Sequence, residues 1–207
     1  MTSVVVVSAG LSNPSSTRLL ADRLAAATSQ ALEEVDVTVV ELRDVAHELT
    51  DHLLTGFPGP RLAAAIDAVR SADGLVVVTP VFSASYSGLF KTFFDVLEPG
   101  TLDGTPVLVA ATAGTARHSL VLDHALRPLF AYLRAVVVPT GVFAATEDFA
   151  SPELEQRIAR AAGELAALVG KVSPADAAGP ARRSVDDELA APTPFEELLR
   201  RASGSAG

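Results

Sequence analysis

The sequence predicts an α/β domain built on a doubly wound parallel sheet of five strands. Short valine-rich runs alternate five times with amphipathic helical stretches, which is the pattern of strands buried between two helix layers. The chain has 207 residues, 49% of them apolar, which is enough for one domain with a sizeable core. Repeated alternation of this kind favours parallel strands joined by crossover helices.

The predicted elements follow one another with short connections. Strands rich in β-branched residues are expected over 3–8, 35–42, 74–80, 105–114 and 135–144. Amphipathic helices are expected over 15–32, 60–71, 87–97, 118–134 and 151–170. The stretch after the second strand is interpreted as a loop that carries His47, His52, Gly56, Pro58 and Pro60. Five strands indicate the flavodoxin-like order 2-1-3-4-5 rather than a six-stranded dinucleotide-binding fold.

A change of composition divides the chain into two parts. Residues 1–171 form the predicted domain, whereas 172–207 is a tail rich in alanine, proline and charged residues. Such a composition favours a linker or a disordered segment. Within the tail, PFEELLRR (194–201) predicts one short amphipathic turn that docks on the core or on a neighbour.

Composition and charge exclude several classes of function. The chain has no cysteine, which excludes disulfides and thiol catalysis, and its four histidines lack the spacing of a zinc site. A formal net charge of -9 disfavours nucleic acid and anionic membranes as partners. The apolar runs are shorter than a membrane span, and the first residues have no basic n-region of a signal peptide. We therefore expect a soluble, cytoplasmic protein.

The ligand of such a sheet binds beyond the carboxyl ends of its strands, where the strand order reverses. With the order 2-1-3-4-5, three loops meet there: 8–17, 79–87 and 111–118. The first loop, SAGLSNPSSTR, combines hydroxyl groups with a helix N-terminus, which favours an anion. It lacks a lysine and the multiple glycines of nucleotide-binding loops, so one terminal phosphate suits it better than a pyrophosphate. The same residues also fit a simple helix cap at Ser15 or Ser16.

The other two loops are suited to a planar ring. TPVFSASYSG supplies stiff backbone and aromatic surface, and TAGTARH has small residues that let a flat ligand approach the main chain. Backbone N–H groups at Gly114 and Thr115 could then reach ring carbonyls. Each loop alone is equally typical of core packing or of an ordinary turn. Together, a cradle for one phosphate and two walls for a polar ring predict a site for flavin mononucleotide (FMN).

Three segments carry a family resemblance. TPVFSASYSGLFKTFFD (79–95), ATAGTARHSLVLDHALRPLF (111–130) and GVFA (141–144) resemble the NAD(P)H-dependent FMN reductases of two-component monooxygenase systems, with similarity over about residues 1–170. The resemblance implies a flavodoxin-like homodimer or homotetramer that transfers hydride from NAD(P)H to FMN. It also implies that reduced FMN passes to a partner monooxygenase, often a luciferase-like one.

The resemblance also implies which residues bind FMN. Carried over by position, the phosphate ligands are Ser8, Ser15, Ser16 and Thr17. The ring contacts are Pro80, Val81, Phe82, Ser83, Thr112, Gly114 and Thr115. No catalytic acid or base is expected, because the two cofactors carry the hydride chemistry and the protein aligns them.

A proline interrupts the helix predicted over 118–134. Pro128 has no N–H for the carbonyl of His124, so the helix must break or bulge there. Certain two-component reductases are similar in having an inserted residue, often tyrosine, in a π-bulge at the tetramer interface near the flavin. His124 is the matching residue here, and it is a candidate modulator of flavin exchange because histidine can titrate. A plain proline kink with a solvated histidine is the alternative.

Two further features concern assembly and rival functions. The helix over 87–97 is apolar on more than one side, which predicts a subunit interface. A flavodoxin-type electron carrier would need an aromatic sandwich, but the chain has no tryptophan and only two tyrosines. A flavin-dependent quinone, azo or metal-ion reductase and a non-catalytic interaction module remain alternatives. The choice between NADH and NADPH also stays open, with Arg18 and Arg117 as candidate partners of a 2′-phosphate.

Overall fold

A central parallel sheet organises the computed structural model, which describes residues 2–32, 34–169 and 194–202. Its strands are β1 (Thr2–Ser8), β2 (Val35–Glu41), β3 (Gly74–Phe82), β4 (Ser85–Tyr86), β5 (Pro106–Ala113), β6 (Val136–Val137) and β7 (Val142–Ala145). The order along the sheet is β2-β1-β3-β5-β6, with β7 also paired to β5 and β4 antiparallel to β3. The predicted order 2-1-3-4-5 is confirmed, because β6 and β7 share the fifth position.

The helices cover both faces of this sheet. They are α1 (Ser16–Ala31), α2 (Ala46–Thr55), α3 (Pro60–Ser71), α4 (Gly88–Asp95), α5 (Arg127–Tyr132), α6 (Pro152–Leu168) and, near the carboxyl end, α7 (Phe195–Ala202). Serine side chains cap the first turns of three of them: Ser15 for α1, Ser87 for α4 and Ser151 for α6. No helix of the described ranges is long and apolar enough to cross a membrane.

Alternate side chains of each strand lie on opposite faces of the sheet and belong to two separate hydrophobic cores. Val5 and Val7 of β1 belong to the core that contains α3 and α4, whereas Val4 and Val6 belong to the core under α1 and α6. This alternation is the geometric consequence of the two-residue period of a strand. It explains why β1 is a continuous run of valines, since both of its faces are buried.

The stretch interpreted as a loop after the second strand is helical, so that prediction is wrong. A 3₁₀ turn, Leu42–Val45, leads directly into α2. Leu42, Val45 and Leu49 recur at helical spacing and are buried, which supplies the apolar stripe of an amphipathic helix. Gly56, at φ 79°, ends α2 in the left-handed conformation. The glycine and proline signals therefore mark the end of this segment, not its whole length.

The third strand is longer than predicted. It was expected to end at Pro80, but β3 continues to Phe82 and turns back through Ser83 and Ala84 into β4. Its neighbour β1 ends opposite Val78, so the missing N–H of Pro80 costs no ladder bond on that side. The predicted fifth strand, 135–144, is instead divided into β6 and β7.

The phenylalanines of the predicted interface helix lie inside the protein. Phe90, Phe93 and Phe94 of α4 are buried and pack against one another. Phe130 of α5 closes the group, with its ring centroid 5.0 Å from that of Phe94. The multi-sided apolar character of α4 is thus explained by a neighbouring helix on the same sheet face, and these side chains do not support a subunit interface.

The predicted break at Pro128 is confirmed. Leu122–Leu126 forms a π-helical turn, and the N–H of Arg127 donates to the carbonyl of Leu122. Pro128 then lies in the first turn of α5, where its missing N–H costs no hydrogen bond. The helix predicted over 118–134 is therefore divided between a 3₁₀ turn, a π-helical turn and α5.

The tail was predicted to contain one amphipathic turn. That segment is α7, in which Phe195 and Leu199 are exposed on the same side of the helix. The remainder of the predicted tail, 172–193 and 203–207, lies outside the described residues, as do residues 170 and 171 of the predicted domain.

Candidate cofactor site

The three loops predicted to meet at the carboxyl edge of the sheet do meet there. Ser8 ends β1, and Pro80 and Thr112 lie opposite each other near the carboxyl ends of the adjacent strands β3 and β5. The N–H of Ala9 donates to the carbonyl of Val78 over 2.9 Å, so the first loop leaves β1 alongside β3. The strand-order reversal between β1 and β3 therefore opens between these loops, as the doubly wound topology requires.

The first loop is folded tightly around the start of α1. A Cβ atom on Gly10 would lie 2.3 Å from the Oγ atom of Ser15, so only glycine fits here without a shift. The Ser15 hydroxyl accepts a hydrogen bond from the N–H of Arg18 over 3.2 Å. The N–H groups of Ser16 and Thr17 have no intrahelical acceptor, because they belong to the first turn. They offer donors and the positive end of the helix dipole to an anion.

A buried hydroxyl without a partner lies at the base of this loop. Ser8 ends β1 and is fully buried, and its Oγ atom has no hydrogen-bond partner among the described residues. A buried polar atom of this kind is costly unless a ligand or water satisfies it. Ser8 thus fits a role in binding a polar group held between the first loop and α1.

A hydrogen bond joins the first loop to the third. The hydroxyl oxygens of Thr17 and Thr112 are 2.8 Å apart, and both side chains are buried. Thr17 was predicted as a phosphate ligand and Thr112 as a ring contact, and the structure brings the two together. If Thr112 is the donor, the hydroxyl proton of Thr17 remains available to a phosphate. If Thr17 is the donor, only its main-chain N–H remains available.

The second loop is a tight hairpin with unusual backbone. Ser83 and Ala84 adopt φ values of 49° and 65°, which L-residues with side chains rarely adopt. The hydroxyl of Thr79 holds the hairpin, since it accepts from the N–H of Ser87 over 3.0 Å. Phe82 stands 47% exposed on this hairpin, whereas Tyr86 stacks toward the buried ring of Phe90. Phe82 is therefore the aromatic side chain that this loop offers to a ligand.

The third loop leaves open surface beside these groups. A Cβ atom on Gly114 would have no neighbour within 4 Å, and Gly114 and Thr115 are both exposed. Packing within the chain therefore does not require a glycine here, but close approach of a flat ligand would. His124 is exposed on the π-helical turn that follows, and this turn packs beside β4.

Arg18 was a candidate partner of a 2′-phosphate, but the two carboxylates that pair with it beside the first loop were not predicted from the sequence. Arg18 extends from the first turn of α1, with its Nε atom 2.7 Å from the Asp22 carboxylate and its Nη1 atom against Glu41. The hydrogen bond that Arg18 donates to the Asp22 carboxylate is the main cause that raises the pKa of Arg18 above its ordinary value. The i, i+4 spacing of Arg18 and Asp22 could have indicated this ion pair from the sequence alone. The contact between Arg18 and Glu41 could not be found that way, because it depends on the pairing of β1 with β2.

The other candidate sites of the molecule fit a cofactor less well than this one. A cavity of about 460 Å³ beside Phe94, Tyr132 and Arg134 lies at the amino ends of β5 and β6, on the opposite edge of the sheet. Within the part of the chain that the structure describes, no cluster of three or more histidine and carboxylate side chains could hold a metal ion. A phosphorylated flavin fits three features of this site together: the Ser8 hydroxyl that has no hydrogen-bond partner among the described residues, the first-turn N–H groups of α1 and the open third loop.

Comparison with known proteins identifies the family of the chain. The family model described as NADPH-dependent FMN reductase matches residues 2–150. A protein of Pseudomonas aeruginosa named FMN reductase (NADPH) is 44% identical over 172 residues, which cover 81% of this chain and 92% of that one. The NADH-dependent FMN reductase SfnF of Pseudomonas fluorescens is 42% identical over 172 residues, covering 81% and 91%.

Solved structures share the fold of the chain. An oxidoreductase from Corynebacterium diphtheriae has 53% identity and a TM-score of 0.81, covering 84% of this chain and 99% of that one. The apo form of the NADH:FMN oxidoreductase EmoB has 28% identity and a TM-score of 0.77, covering 88% and 97%. A WrbA-like flavodoxin from Agrobacterium tumefaciens, at 15% identity and a TM-score of 0.62, supports the flavodoxin-like fold alone.

Proposed function

The chain belongs to the NADPH-dependent FMN reductase family, and from this premise we propose that it releases reduced FMN to a separate flavin-dependent monooxygenase of the luciferase-like type. Family membership makes the chain an oxidoreductase that uses FMN and NAD(P)H. Relatives are named for NADPH in one case and for NADH in another, so the preferred nicotinamide is a matter for experiment.

The observation that carries the proposal is the openness of the ring side of the site. Phe82, Gly114 and Thr115 are exposed, and the chain has no tryptophan to cover a flavin from the outer face. An electron carrier that never releases FMN gains from enclosing the ring between aromatic side chains. An open site instead favours stacking of a nicotinamide, followed by exchange of the flavin with solution.

The residues that we propose to hold FMN divide between its two ends. Ser8, Ser15, Ser16 and Thr17 would surround the phosphate, through hydroxyl groups and the first-turn N–H groups of α1. Pro80, Val81, Phe82, Ser83, Thr112, Gly114 and Thr115 would contact the ring. When bound, FMN supplies the hydride-accepting chemistry, and the protein aligns the flavin with the nicotinamide. His124 would modulate exchange from the neighbouring π-helical turn.

The test is steady-state oxidation of NADH and of NADPH with free FMN as the sole acceptor. We expect turnover that saturates with FMN and needs no quinone. After anaerobic reduction, ultrafiltration should recover most of the reduced FMN in the filtrate. Turnover only with an added quinone, while FMN stays with the protein, would favour the quinone reductase alternative and contradict the proposal.

Assembly is proposed on a separate observation. Leu54, Phe57 and Tyr132 are large apolar side chains that are largely exposed in the single chain. A homodimer or homotetramer, which the family resemblance implies, would cover exposed apolar side chains of this size. Sedimentation at micromolar concentration measures the state, and a monomer would contradict the proposal. Cytoplasmic localisation stays a prediction of the composition.

A further inference from the structure

Arg18 is a cation that its neighbours hold beside the phosphate loop. Its Nε atom lies 2.7 Å from the Oδ1 atom of Asp22, one turn further along α1. Its Nη1 atom contacts the carboxylate of Glu41, the last residue of β2. The side chain of Arg18 is 36% exposed, so it is neither buried by packing nor free in solvent. Two carboxylates from two different elements therefore determine the direction of this guanidinium.

The guanidinium and the phosphate loop line the same cavity. This cavity of about 210 Å³ is bounded on one side by Ser12, Asn13 and Ser15 of the loop, and on the other by Arg18, Glu41, Arg43 and Asp44. Arg18 is also the third helical residue of α1, directly after Ser16 and Thr17. An arginine at this position is close to an anion bound at the helix N-terminus, unless other groups hold it away.

We infer that Asp22 and Glu41 hold Arg18 away from the FMN phosphate, and that this restraint keeps FMN affinity low enough for exchange. The inference rests on the proposed function and concerns the same site. An arginine that is free to form a charge-assisted, bidentate contact would bind a phosphate much more tightly than neutral donors do. In this chain the Arg18 guanidinium has two carboxylate partners already, so Arg18 gives the phosphate no ionic contact.

The arrangement suits a reductase that must release its flavin. A strong ionic contact to the phosphate would slow dissociation, because most differences in affinity between related complexes appear in the dissociation rate. Asp22 and Glu41 would thus be residues that determine retention of FMN, although neither needs to touch it. The role is distinct from the hydride transfer itself, which takes place at the ring.

The test is the affinity of the double variant Asp22→Asn/Glu41→Gln for FMN, measured by quenching of flavin fluorescence. We expect this variant to bind FMN at least about tenfold more tightly than the native chain, since it frees one guanidinium for the phosphate. The added contact is ionic, so the gain should shrink as salt is raised. Riboflavin, which lacks the phosphate, should bind both proteins equally.

Two controls separate the inference from a general effect of charge. Asp67→Asn/Glu98→Gln removes the two carboxylates beside Arg70, at 2.9 and 3.9 Å, and changes the net charge equally on another face. It should leave FMN affinity unchanged. Adding Arg18→Ala to the Asp22/Glu41 double variant should abolish the gain, and Arg18→Ala alone should leave the native affinity nearly unchanged.

Several results would overturn the inference. They are an unchanged FMN affinity in the double variant, an equal gain for riboflavin, or a large loss from Arg18→Ala alone, which would mean that the arginine already contacts the phosphate. These failures differ from failure of the proposed function. If the native chain oxidises NAD(P)H with free FMN but the double variant binds FMN as the native chain does, only this inference falls.

Discussion

At the scale of single residues, the hydrogen bond between Thr17 and Thr112 holds two walls of the site together. Thr17→Val keeps the shape of the side chain but leaves the Thr112 hydroxyl buried without its partner. We expect the free energy of unfolding to fall by about 1–3 kcal/mol, the usual cost of an unsatisfied buried group. FMN affinity should fall as well, because the first and third loops lose their link. Urea denaturation and flavin titration measure the two effects.

The matched controls for this bond are Thr17→Ser and the double variant Thr17→Val/Thr112→Val. Thr17→Ser keeps the hydroxyl and should retain most of the FMN affinity. The double variant removes both polar groups, so it should recover stability relative to Thr17→Val, while FMN affinity stays low. Equal stability of Thr17→Val and the native chain would show that the bond contributes nothing.

Single residues also show how far the sequence predicts a site. Ser15 was a candidate cap, and it is the cap, because a helix start depends on neighbours within a few residues. The partner of the Thr17 hydroxyl lies 95 positions away, so no local pattern could reveal it. For the same reason, the contact between Arg18 and Glu41 needed the pairing of β1 with β2.

At the scale of elements, the sequence predicted the structure correctly where a single residue determines the local backbone. Pro128 lacks an N–H, so a broken helix followed from one residue, and the π-helical turn Leu122–Leu126 is the result. The segment that became α2 was missed because its two histidines and the glycine and prolines after it resembled a loop. The apolar stripe here has only three residues, Leu42 and Val45 in the preceding 3₁₀ turn and Leu49 in α2, and it is recognisable mainly through burial against the sheet.

Two leucines of α2 test that assignment. Leu49 is fully buried, whereas Leu54, five residues later, is 82% exposed. We expect Leu49→Ala to lower the free energy of unfolding by about 2–5 kcal/mol through the cavity that it leaves. Leu54→Ala removes no buried contact within the chain, so at a dilution that dissociates the proposed oligomer it should change the free energy of unfolding by less than about 0.5 kcal/mol. Denaturant titration compares the pair, and equal effects would contradict an amphipathic α2 packed in this orientation.

At the scale of the whole molecule, the strand order followed from counting strands and helices, because connection rules leave few alternatives. The division of the fifth strand was not predicted, although Pro139 and Gly141, which lie between β6 and β7, are residue types that interrupt a strand. The carboxyl boundary of the domain was placed by composition at residue 171. The family model ends earlier, at residue 150, which is before α6 begins.

The contacts of α6 decide between these two boundaries. Leu154, Ile158 and Leu165 are buried in the core under α1. Val169, directly after α6, lies against Gly74. A Cβ atom added to Gly74 would lie 2.8 Å from the Cγ2 atom of Val169. Polar contacts add to this packing, since the Thr140 hydroxyl donates to Glu164 over 2.7 Å. A chain without α6 would expose the part of this sheet face that α1 does not cover.

We therefore predict that a variant ending at residue 171 folds cooperatively and reduces FMN with NAD(P)H at nearly the native rate. A variant ending at residue 150 should lose its cooperative thermal transition, because burial of each large apolar side chain of α6 contributes about 1.5–3 kcal/mol. That sum is comparable to the whole stability of a small domain. Calorimetry and FMN turnover of both variants decide the point. Loss of folding in the longer variant would place residues of the segment 172–207 within the domain, and retained folding in the shorter one would make α6 dispensable.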